Sequence, residues 1–525
     1  MFRYHPGMRF LVGIDIGTQS IRALLADAAG RTLACAGRPT PTITLGPGRA
    51  EYDPETLWTT TLAALREVAA AVPAGGEVVG IACASMGEAC VLVGADGAPL
   101  GRAITWFDRR TEAVAAGFGQ RAGADRLFRI TGLPVDPTLT LCKLLWHRED
   151  DPAQFARVRG VFNLADWIAW RLCGEAATDL SLASRTFCLD IQARAWSAEM
   201  LDLAGLSAGL LPPIRPSGTR LGPVRAEVLA ETGLRGRPVV GVGAHDHVCG
   251  GFAAGAARPG VLLDSMGTAE ALYLTVARPV ATGATRGLGF AQGAIGLRGD
   301  EGPTGFAYLG AGMNCSGGSI EWFRSLLGDS EHNLAARDRL IAEASGVAAG
   351  SQGTCFLPHL AYSTPPVVDL AARGAFVGLT AGTSRGAMFR AVLEGLAMEA
   401  RFSVDAMSAL PGAGVPTEIR AIGGNTKNPL FLRIKASVFG RPLTVIAEPE
   451  ATALGAALLG GLAAGVWPDL ATALGAIVQE RRIVEPDPDW TDRYDGLYEG
   501  IYRKLYPALA SISHDLTRSD AMHAT

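Results

Sequence analysis

Two stretches of this chain repeat one pattern, an apolar run followed by an acidic residue and a Gly-Thr pair. The first occupies residues 10–18 and the second residues 259–268. A second apolar run follows each, at residues 21–25 and 271–276, so each unit predicts two strands joined by a tight turn. Because units repeated at a distance indicate a duplicated architecture, we predict two similar domains that aim their Gly-Thr turns at one central ligand.

The rest of the chain alternates short apolar runs with amphipathic stretches, which is typical of an α/β protein. We predict a further strand at residues 78–84 and helices at residues 55–72, 163–172 and 384–402. A charge-free apolar stretch at residues 451–467 is too short and too rich in Ala and Gly for a membrane span. It predicts a buried helix.

Composition excludes several classes of partner. The net charge is −4 and 19% of the 525 residues are charged, so the chain offers no basic surface to nucleic acid or to anionic lipid. The nine cysteines include no C-x-x-C pair, which argues against a disulfide framework or a zinc ribbon. We therefore expect a cytoplasmic protein that binds small molecules, with neither nucleic acid nor a membrane as partner.

The first Gly-Thr turn is a candidate phosphate-binding element. Gly17 allows a ligand to approach the backbone, while Thr18, Gln19 and Ser20 offer hydrogen-bond donors. Asp15, at the end of the preceding strand, is suited to hold Mg²⁺ through water. An ordinary hairpin turn would fit the same residues. The chain has neither a Walker motif nor a strand-linked G-x-G-x-x-G, so backbone amides, hydroxyls, arginine or metal would have to bind any phosphate.

A second candidate site follows the predicted strand that ends near residue 242. Asp246 lies between His245 and His247, where a carboxylate would accept a proton from an attacking hydroxyl. Metal binding is an alternative, because His245, His247 and Cys249 would point to one face of an extended segment. A structural role for the two histidines is a third interpretation.

Taken in order, these motifs resemble the FGGY family of carbohydrate kinases, the group of xylulokinases, ribulokinases and glycerol kinases, over roughly residues 10–485. The resemblance implies two actin-like, ribonuclease H-like domains flanking a catalytic cleft, and transfer of a phosphoryl group from ATP to a sugar hydroxyl with Mg²⁺. The implied division is a loose leader at 1–9, a sugar-binding domain at 10–254, an ATP-binding domain at 255–485, and a terminal helix with a tail at 486–525. A homodimer is implied by the family alone.

Residue by residue, the resemblance assigns nucleotide contacts to the two Gly-Thr turns, a helix start and a Gly-Gly turn. These contacts are Thr18, Gln19, Ser20, Arg22, Gly267, Thr268, Gly317, Glu321, Gly423, Gly424 and Asn428. Asp246 is implied as the catalytic base. Asp15 and Asp246 are implied as the Mg²⁺ carboxylates, partly through water.

The acceptor side is implied by the turn at residues 84–88 and by the Trp-Phe-Asp segment at residues 106–108. The implied substrate contacts are Met86, Glu88, Trp106, Asp108, Asp246 and His247. Glu88 and Asp108 are the leading candidates, since carboxylates accept bidentate hydrogen bonds from polyols. The alternatives are a solvated turn for Glu88 and an ion pair between Asp108 and Arg109.

The identity of the acceptor is the least determined feature of the sequence. Gly87 and Thr138 stand where glycerol kinases carry Arg and Tyr, which favours a xylulose-like pentulose over glycerol. No position singles out one ketose. The alternative functions are a sugar-sensing relative without kinase activity and a sugar-independent ATPase. The presence of Asp15, Asp246 and both Gly-Thr turns argues against an inert sensor.

Overall fold

Two mixed β-sheets with helices on both faces form the framework of this protein. The computed structural model describes residues 8–299, 305–329, 333–477 and 480–523, so most of the expected leader and the last residues of the tail lie outside the described residues. In the first sheet the spatial order is β5-β6-β4-β1-β2-β3. Its strands are β1 (Arg9–Ile16), β2 (Ser20–Asp27), β3 (Thr32–Pro39), β4 (Glu77–Ser85), β5 (Arg220–Pro223) and β6 (Val239–His245).

The second sheet has the spatial order β9-β10-β8-β7-β11-β12-β13. Its strands are β7 (Val261–Met266), β8 (Glu270–Val276), β9 (Ala291–Ile295), β10 (Phe306–Met313), β11 (Glu418–Ile422), β12 (Leu443–Ile446) and β13 (Arg481–Val484). Shorter strands pair outside the two sheets, at Thr42–Gly46, Arg49–Tyr52, Cys90–Val93, Ala103–Ile104, Gly160–Asn163, Leu189–Asp190, Ala195–Trp196, Cys355–Leu357 and Ala375–Val377.

The two sheets contain the same five-stranded unit. In β3-β2-β1-β4-β6 the first two pairings are antiparallel and the next two are parallel. The unit β10-β8-β7-β11-β12 has the same sequence of directions. The predicted duplication and the two actin-like domains of the α/β class are confirmed.

The acidic residues of the two repeats are not equivalent, although both precede a Gly-Thr pair. Ile16 pairs with Ile21 across the first turn, and Met266 pairs with Glu270 across the second, so Ser265 is the counterpart of Asp15. Asp264 is one residue out of register. Because a shift of one residue turns a strand side chain to the opposite face, only Asp15 points toward the other domain.

Six helices cover the two sheets: α1 (Pro54–Ala70), α2 (Leu164–Cys173), α3 (Asp246–Ala254), α4 (Arg385–Ser408), α5 (Pro429–Phe439) and α6 (Ala451–Ala463). The predicted helices are confirmed as α1, α2 and α4. For α1, the Asp53 side chain accepts a hydrogen bond from Thr56 N and Pro54 occupies the first turn, so the local sequence specifies where it begins. Further helices are Glu112–Ala122, Ala124–Thr131, Thr140–Asp150, Pro152–Phe155, Leu180–Arg185, Ala198–Ala204, Ala226–Thr232, Gly283–Gly287, Ser316–Leu326, Leu334–Ser345, Leu470–Ala476, Pro488–Leu497 and Arg503–His523.

The domains exchange helices at their interface. Helix α6 follows β12 of the second sheet but packs on β1, β4 and β6 of the first, and helix α3 follows β6 but packs on α6 and on the second sheet. The approach of α6 is close: a Cβ on Gly13 would lie 1.8 Å from the carbonyl oxygen of Ala453, and a Cβ on Gly80 would lie 2.1 Å from that of Gly460. The apolar stretch at residues 451–467 thus contains the buried helix that the sequence predicts.

No helix within the described residues is long and apolar enough to cross a membrane. All nine cysteines lie in the described part of the chain and are free.

Candidate functional site

Two aspartates lie where parallel strands of the first sheet end. Asp15 on β1 and Ala244 on β6 both pair with Ala84 of β4, and Asp246 follows two residues later as the first residue of α3. Asp15 is 8% exposed, and its Oδ1 atom has no hydrogen-bond partner. Burial, together with the nearby charge of Asp246, raises the pKa of Asp15 to about 8. The pair is a partly desolvated acidic site facing the second domain.

Two histidines hold the carboxylate of Asp246. Its Oδ1 atom lies 3.2 Å from Nε2 of His245 and accepts a hydrogen bond of 2.7 Å from the backbone N–H of His247. Despite burial, the nearby His247 and His245 lower the pKa of Asp246, so it is ionised at neutral pH. The alternative zinc site is wrong, because Cys249 is buried inside α3 and bonds to the carbonyl of Ala244 rather than sharing a face with the histidines.

The first Gly-Thr turn is closed by a hydrogen bond of 3.1 Å from the N–H of Gly17 to the carbonyl of Ser20. Thr18 accepts a hydrogen bond of 2.8 Å from the indole N–H of Trp106, so a predicted nucleotide contact touches a predicted substrate contact. Arg22 forms an ion pair of 2.9 Å with Glu450, the residue before α6. The turn is thereby linked to the second domain. Gln19 is exposed.

Glu88 is buried at the turn after β4 and is not the solvated side chain of the alternative interpretation. Its backbone lies in the left-handed region, with φ of 63°, and its carbonyl accepts hydrogen bonds from Lys143 Nζ at 3.0 Å and from Thr140 at 3.3 Å. Its carboxylate pairs with the guanidinium of Arg185. Strained backbone held by several partners is typical of functional sites.

The predicted substrate contact at Asp108 does not fit this structure. Asp108 is fully buried, and its two oxygens accept four hydrogen bonds, from the N–H of Ala50 and from the backbone and guanidinium of Arg110. These donors fill the acceptor capacity of the carboxylate. The alternative pairing is also wrong in its partner, because Arg109 pairs with Glu112. Asp108 therefore holds the segment that carries Trp106.

The predicted contact Met86 is buried behind the same turn. Its sulfur accepts a hydrogen bond of 3.3 Å from the hydroxyl of Tyr52. It packs in the core of the first domain, so it supports the turn from behind.

The predicted nucleotide contacts of the second domain converge on Gly267. The carbonyl of Gly267 accepts hydrogen bonds from the N–H of Gly317, at 3.2 Å, and from Asn425 Nδ2, at 2.9 Å. Gly423 has φ of 98°, and a Cβ there would lie 2.8 Å from the carbonyl of Met266. The three segments predicted to bind the nucleotide are thus neighbours.

Four of the remaining predicted nucleotide contacts differ in their solvent exposure and in whether they already have a protein partner. Thr268 and Gly424 are exposed. Asn428 caps α5, because its side chain accepts a hydrogen bond from Phe431 N at 3.1 Å. Glu321 pairs with Arg324, with both carboxylate oxygens within 2.9 Å of one guanidinium nitrogen.

Sequence reasoning missed the aromatic residues that join the two halves of the site. The ring of His247 lies against that of Tyr273 on β8, with centroids 5.3 Å apart, and Tyr273 lies against Tyr308 on β10, at 4.7 Å. In the sequence both tyrosines are single members of apolar strand patterns. Only the sheet topology shows that they face the first domain.

The acidic pair fits a divalent cation. A buried carboxylate oxygen without a protein partner, beside a second carboxylate, is the arrangement in which Mg²⁺ is held by one or two carboxylates and by phosphate oxygens. Within the described residues, no group of three or more His, Cys, Asp or Glu side chains could hold a metal ion by itself. Phosphate oxygens of the ligand would have to complete the coordination.

Most of the chain is similar to known kinases. Residues 10–253 match the model of the FGGY family of carbohydrate kinases, N-terminal domain, and residues 264–464 match that of the C-terminal domain. A glycerol kinase from Gloeobacter violaceus is 35% identical over 477 residues, which cover 89% of this chain and 90% of that protein. A xylulose kinase from Bacillus subtilis is 26% identical over 500 residues, covering 95% and 97%.

The fold agrees with these relatives. The crystal structure of xylulose kinase from Rhodospirillum rubrum superposes with a TM-score of 0.86 at 29% identity, covering 96% of this chain and 100% of that one. This chain belongs to the FGGY family of carbohydrate kinases, ATP-dependent phosphotransferases that act on hydroxyl groups of sugars or glycerol.

Proposed function

We propose that this kinase phosphorylates a hydroxyl of a small neutral ketose or polyol, with xylulose-like pentuloses as the first candidates and Asp246 as the catalytic base. The observation that carries the proposal is the state of Asp246, an ionised carboxylate fixed by His245 and His247 at the end of β6. A general base must be ionised and held within reach of the proton it accepts.

In this mechanism Asp246 orients the acceptor hydroxyl and takes its proton as the oxygen attacks the γ-phosphorus of ATP. The bond from the γ-phosphorus to the β,γ-bridging oxygen breaks, and ADP leaves. Phosphoryl transfer is catalysed chiefly by positioning and by stabilising charge. Asp15, with Asp246, would hold Mg²⁺, which supplies positive charge to the phosphate oxygens when bound. Thr18 and Ser20 offer hydroxyl donors on one side, and the turn at Gly267 and Thr268 offers backbone and hydroxyl donors on the other.

The adenosine would lie near the start of the helix at Ser316–Leu326 and near the turn that contains Gly423 and Gly424. Glycine at Gly317 supports this placement, because a Cβ there would lie 2.5 Å from the carbonyl of Gly267. The backbone leaves open space around Gly424, where a Cβ would meet nothing within 4 Å.

The choice between a pentulose and glycerol rests on the acceptor turn. Gly87 and Thr138 depart from glycerol kinases, yet relatives with that name are more similar in sequence than the xylulose kinase from Bacillus subtilis. We therefore make the substrate the first quantity to measure.

The test is ADP release measured by a coupled assay with D-xylulose, D-ribulose, glycerol, alditols and deoxysugars. We expect turnover that depends on an acceptor and is fastest with a pentulose. Turnover independent of every acceptor would support the ATPase alternative, and nucleotide binding without turnover would support the sensor.

The base is tested with Asp246→Asn, which keeps the size of the side chain and removes its basicity. We expect kcat to fall at least about 100-fold, while ADP still binds in a calorimetric titration. Near-normal turnover in this variant would refute the assignment.

A further inference from the structure

The acceptor site of this kinase contains an arginine that the reaction scheme above does not use. Arg185 is the last residue of the helix at Leu180–Arg185, about 100 residues after the acceptor turn in the chain. We propose that Arg185 is a specificity-determining residue: it pairs with Glu88 so that this carboxylate is presented to a neutral hydroxyl, and it thereby selects uncharged polyols over sugar acids. The inference rests on the proposed function and names its substrate class.

Arg185 occupies the space beside the acceptor turn. A Cβ on Gly87 would lie 2.8 Å from Cγ and 3.0 Å from Cβ of Arg185, and 3.2 Å from the ring of His245. The stem of Arg185 therefore lies across the acceptor turn where a side chain at position 87 would have to go. A larger residue at position 87 would have to displace Cβ and Cγ of Arg185, which have less freedom to move than the tip of a side chain. The position of Arg185 therefore favours glycine at position 87.

The ion pair between Arg185 and Glu88 uses one of the two carboxylate oxygens. The Nε and Nη2 atoms of Arg185 both bond to Oε1 of Glu88, and the two side chains are 19% and 9% exposed. Both contacts use the same oxygen, so Oε2 of Glu88 remains available as an acceptor for a hydroxyl group. The left-handed backbone at Glu88, held from below by Lys143, fixes the direction of this oxygen.

The second domain contributes a tyrosine to the surroundings of Arg185. Tyr308 on β10 is 1% exposed, and its hydroxyl faces the guanidinium of Arg185. The imidazole Nδ1 of His245 is also buried and without a partner. A buried polar atom without a partner in a cleft is expected to bind a polar ligand, because leaving it unpaired is unfavourable.

The charge balance then selects the ligand. The charges of Arg185 and Glu88 neutralise each other, and Lys143 is fully buried and donates to the carbonyls of Glu88 and Thr105. Within the described residues at this turn, the cations Arg185 and Lys143 both have protein partners already, so neither is free to pair with a substrate carboxylate. A sugar acid would lose its hydration here without gaining a partner, whereas a neutral polyol gains hydrogen bonds.

The test compares Arg185→Met and Arg185→Lys with the unchanged enzyme over a range of acceptor concentrations. For Arg185→Met we expect the acceptor KM to rise at least 10-fold, while kcat at saturation and the KM for ATP change less than 3-fold; Arg185→Lys should recover part of the loss. Gly87→Ala should raise the acceptor KM in the same way by displacing the stem of Arg185. Arg171→Met is the matched control, because Arg171 is 22% exposed and pairs with Glu55 on the outside of the domain.

Charge selection is tested by ligand-induced thermal shift with xylitol and with D-xylonate. We expect xylitol alone to stabilise the unchanged enzyme, and D-xylonate to stabilise Glu88→Gln, in which the guanidinium is freed. Glu88→Gln combined with Arg185→Met should lose the response to D-xylonate.

Two results would overturn the inference: an unchanged acceptor KM in folded Arg185→Met, or equal kcat/KM for a sugar acid and its neutral counterpart in the unchanged enzyme. Absence of acceptor-dependent turnover in the unchanged enzyme would instead contradict the proposed function.

Discussion

Asp15 and Asp246 show how one sheet edge holds two aspartates in different protonation states. Burial raises the pKa of Asp15 to about 8, whereas His247 and His245 lower the pKa of Asp246. Environments that separate the pKa values of two neighbouring groups are typical of sites with acid and base roles. The pair therefore carries one negative charge near neutral pH until a cation binds.

This arrangement predicts that Asp15 destabilises the metal-free protein. The folded-state pKa of Asp15 lies above its ordinary value of 3.8, so its cost to stability is absent below about pH 4 and grows as the pH rises toward 8. We expect Asp15→Asn to be more stable than the unchanged protein at pH 8, by an amount on the order of a few kcal/mol, and equally stable at pH 4. Urea unfolding in EDTA at several pH values would measure the difference.

The matched control is Asp246→Asn, for which the sign is opposite. The lowered pKa of Asp246 stabilises the folded state above pH 4, so this substitution should cost stability at pH 8. A stability difference for Asp15→Asn that does not change with pH would contradict the prediction.

The sequence predicts site residues at strand ends better than it predicts pairs of residues that are distant in the chain and meet in the fold. Asp15 and Asp246 are both found where apolar strands end, and parallel strands bring their ends to one edge. The pairing of Glu88 with Arg185 has no local signal, because it depends on where a helix about 100 residues later packs. The partner of Asp108 is two residues away rather than one, which depends on the path of a loop.

At the scale of elements, the glycines of helix α6 allow it to pack closely against its neighbours. A Cβ on Gly455 would lie 1.9 Å from the carbonyl oxygen of Cys249 on α3, which is backbone and cannot move aside. The glycines therefore set the distance between the helix and its neighbours. The sequence predicts a buried helix here from its lack of charge, but not which sheet the helix covers.

We predict that Gly455→Ala lowers the free energy of unfolding by at least about 1–3 kcal/mol, the usual cost of overpacking. Gly475→Ala is the matched control: Gly475 is an exposed glycine inside the helix at Leu470–Ala476, and a Cβ there would meet nothing within 4 Å. It should be neutral or stabilising by up to about 1 kcal/mol, because Ala favours helix. Urea denaturation of both variants measures the two changes in the free energy of unfolding. Equal changes would show that close packing at Gly455 does not set the distance between α6 and α3.

At the scale of the whole molecule, the two domains share a core. Side chains from both sheets and from α3 and α6 form one cluster that includes Leu11, Phe252, Leu263 and Leu458. Separation of the domains would expose this apolar surface, which is unfavourable in water. The duplication is predictable from the repeated motif, whereas the one-residue offset of Asp264, which pairs with Lys435 in the core of the second domain, is not.

We predict a single cooperative unfolding transition in spite of the two domains. Differential scanning calorimetry should give one peak, and Gly455→Ala should move the whole peak to lower temperature. Two resolved peaks, or a shift of only part of the heat absorption, would contradict a shared core.

The exchange of α3 and α6 makes each half of the chain depend on the other. Helix α6, which follows β12 of the second sheet, packs on β1, β4 and β6 of the first sheet, so the first half alone would expose this apolar face to water. The link between α3 and β7 separates the two halves of the chain. We expect either half expressed alone to be insoluble, and the two halves expressed together to reassemble.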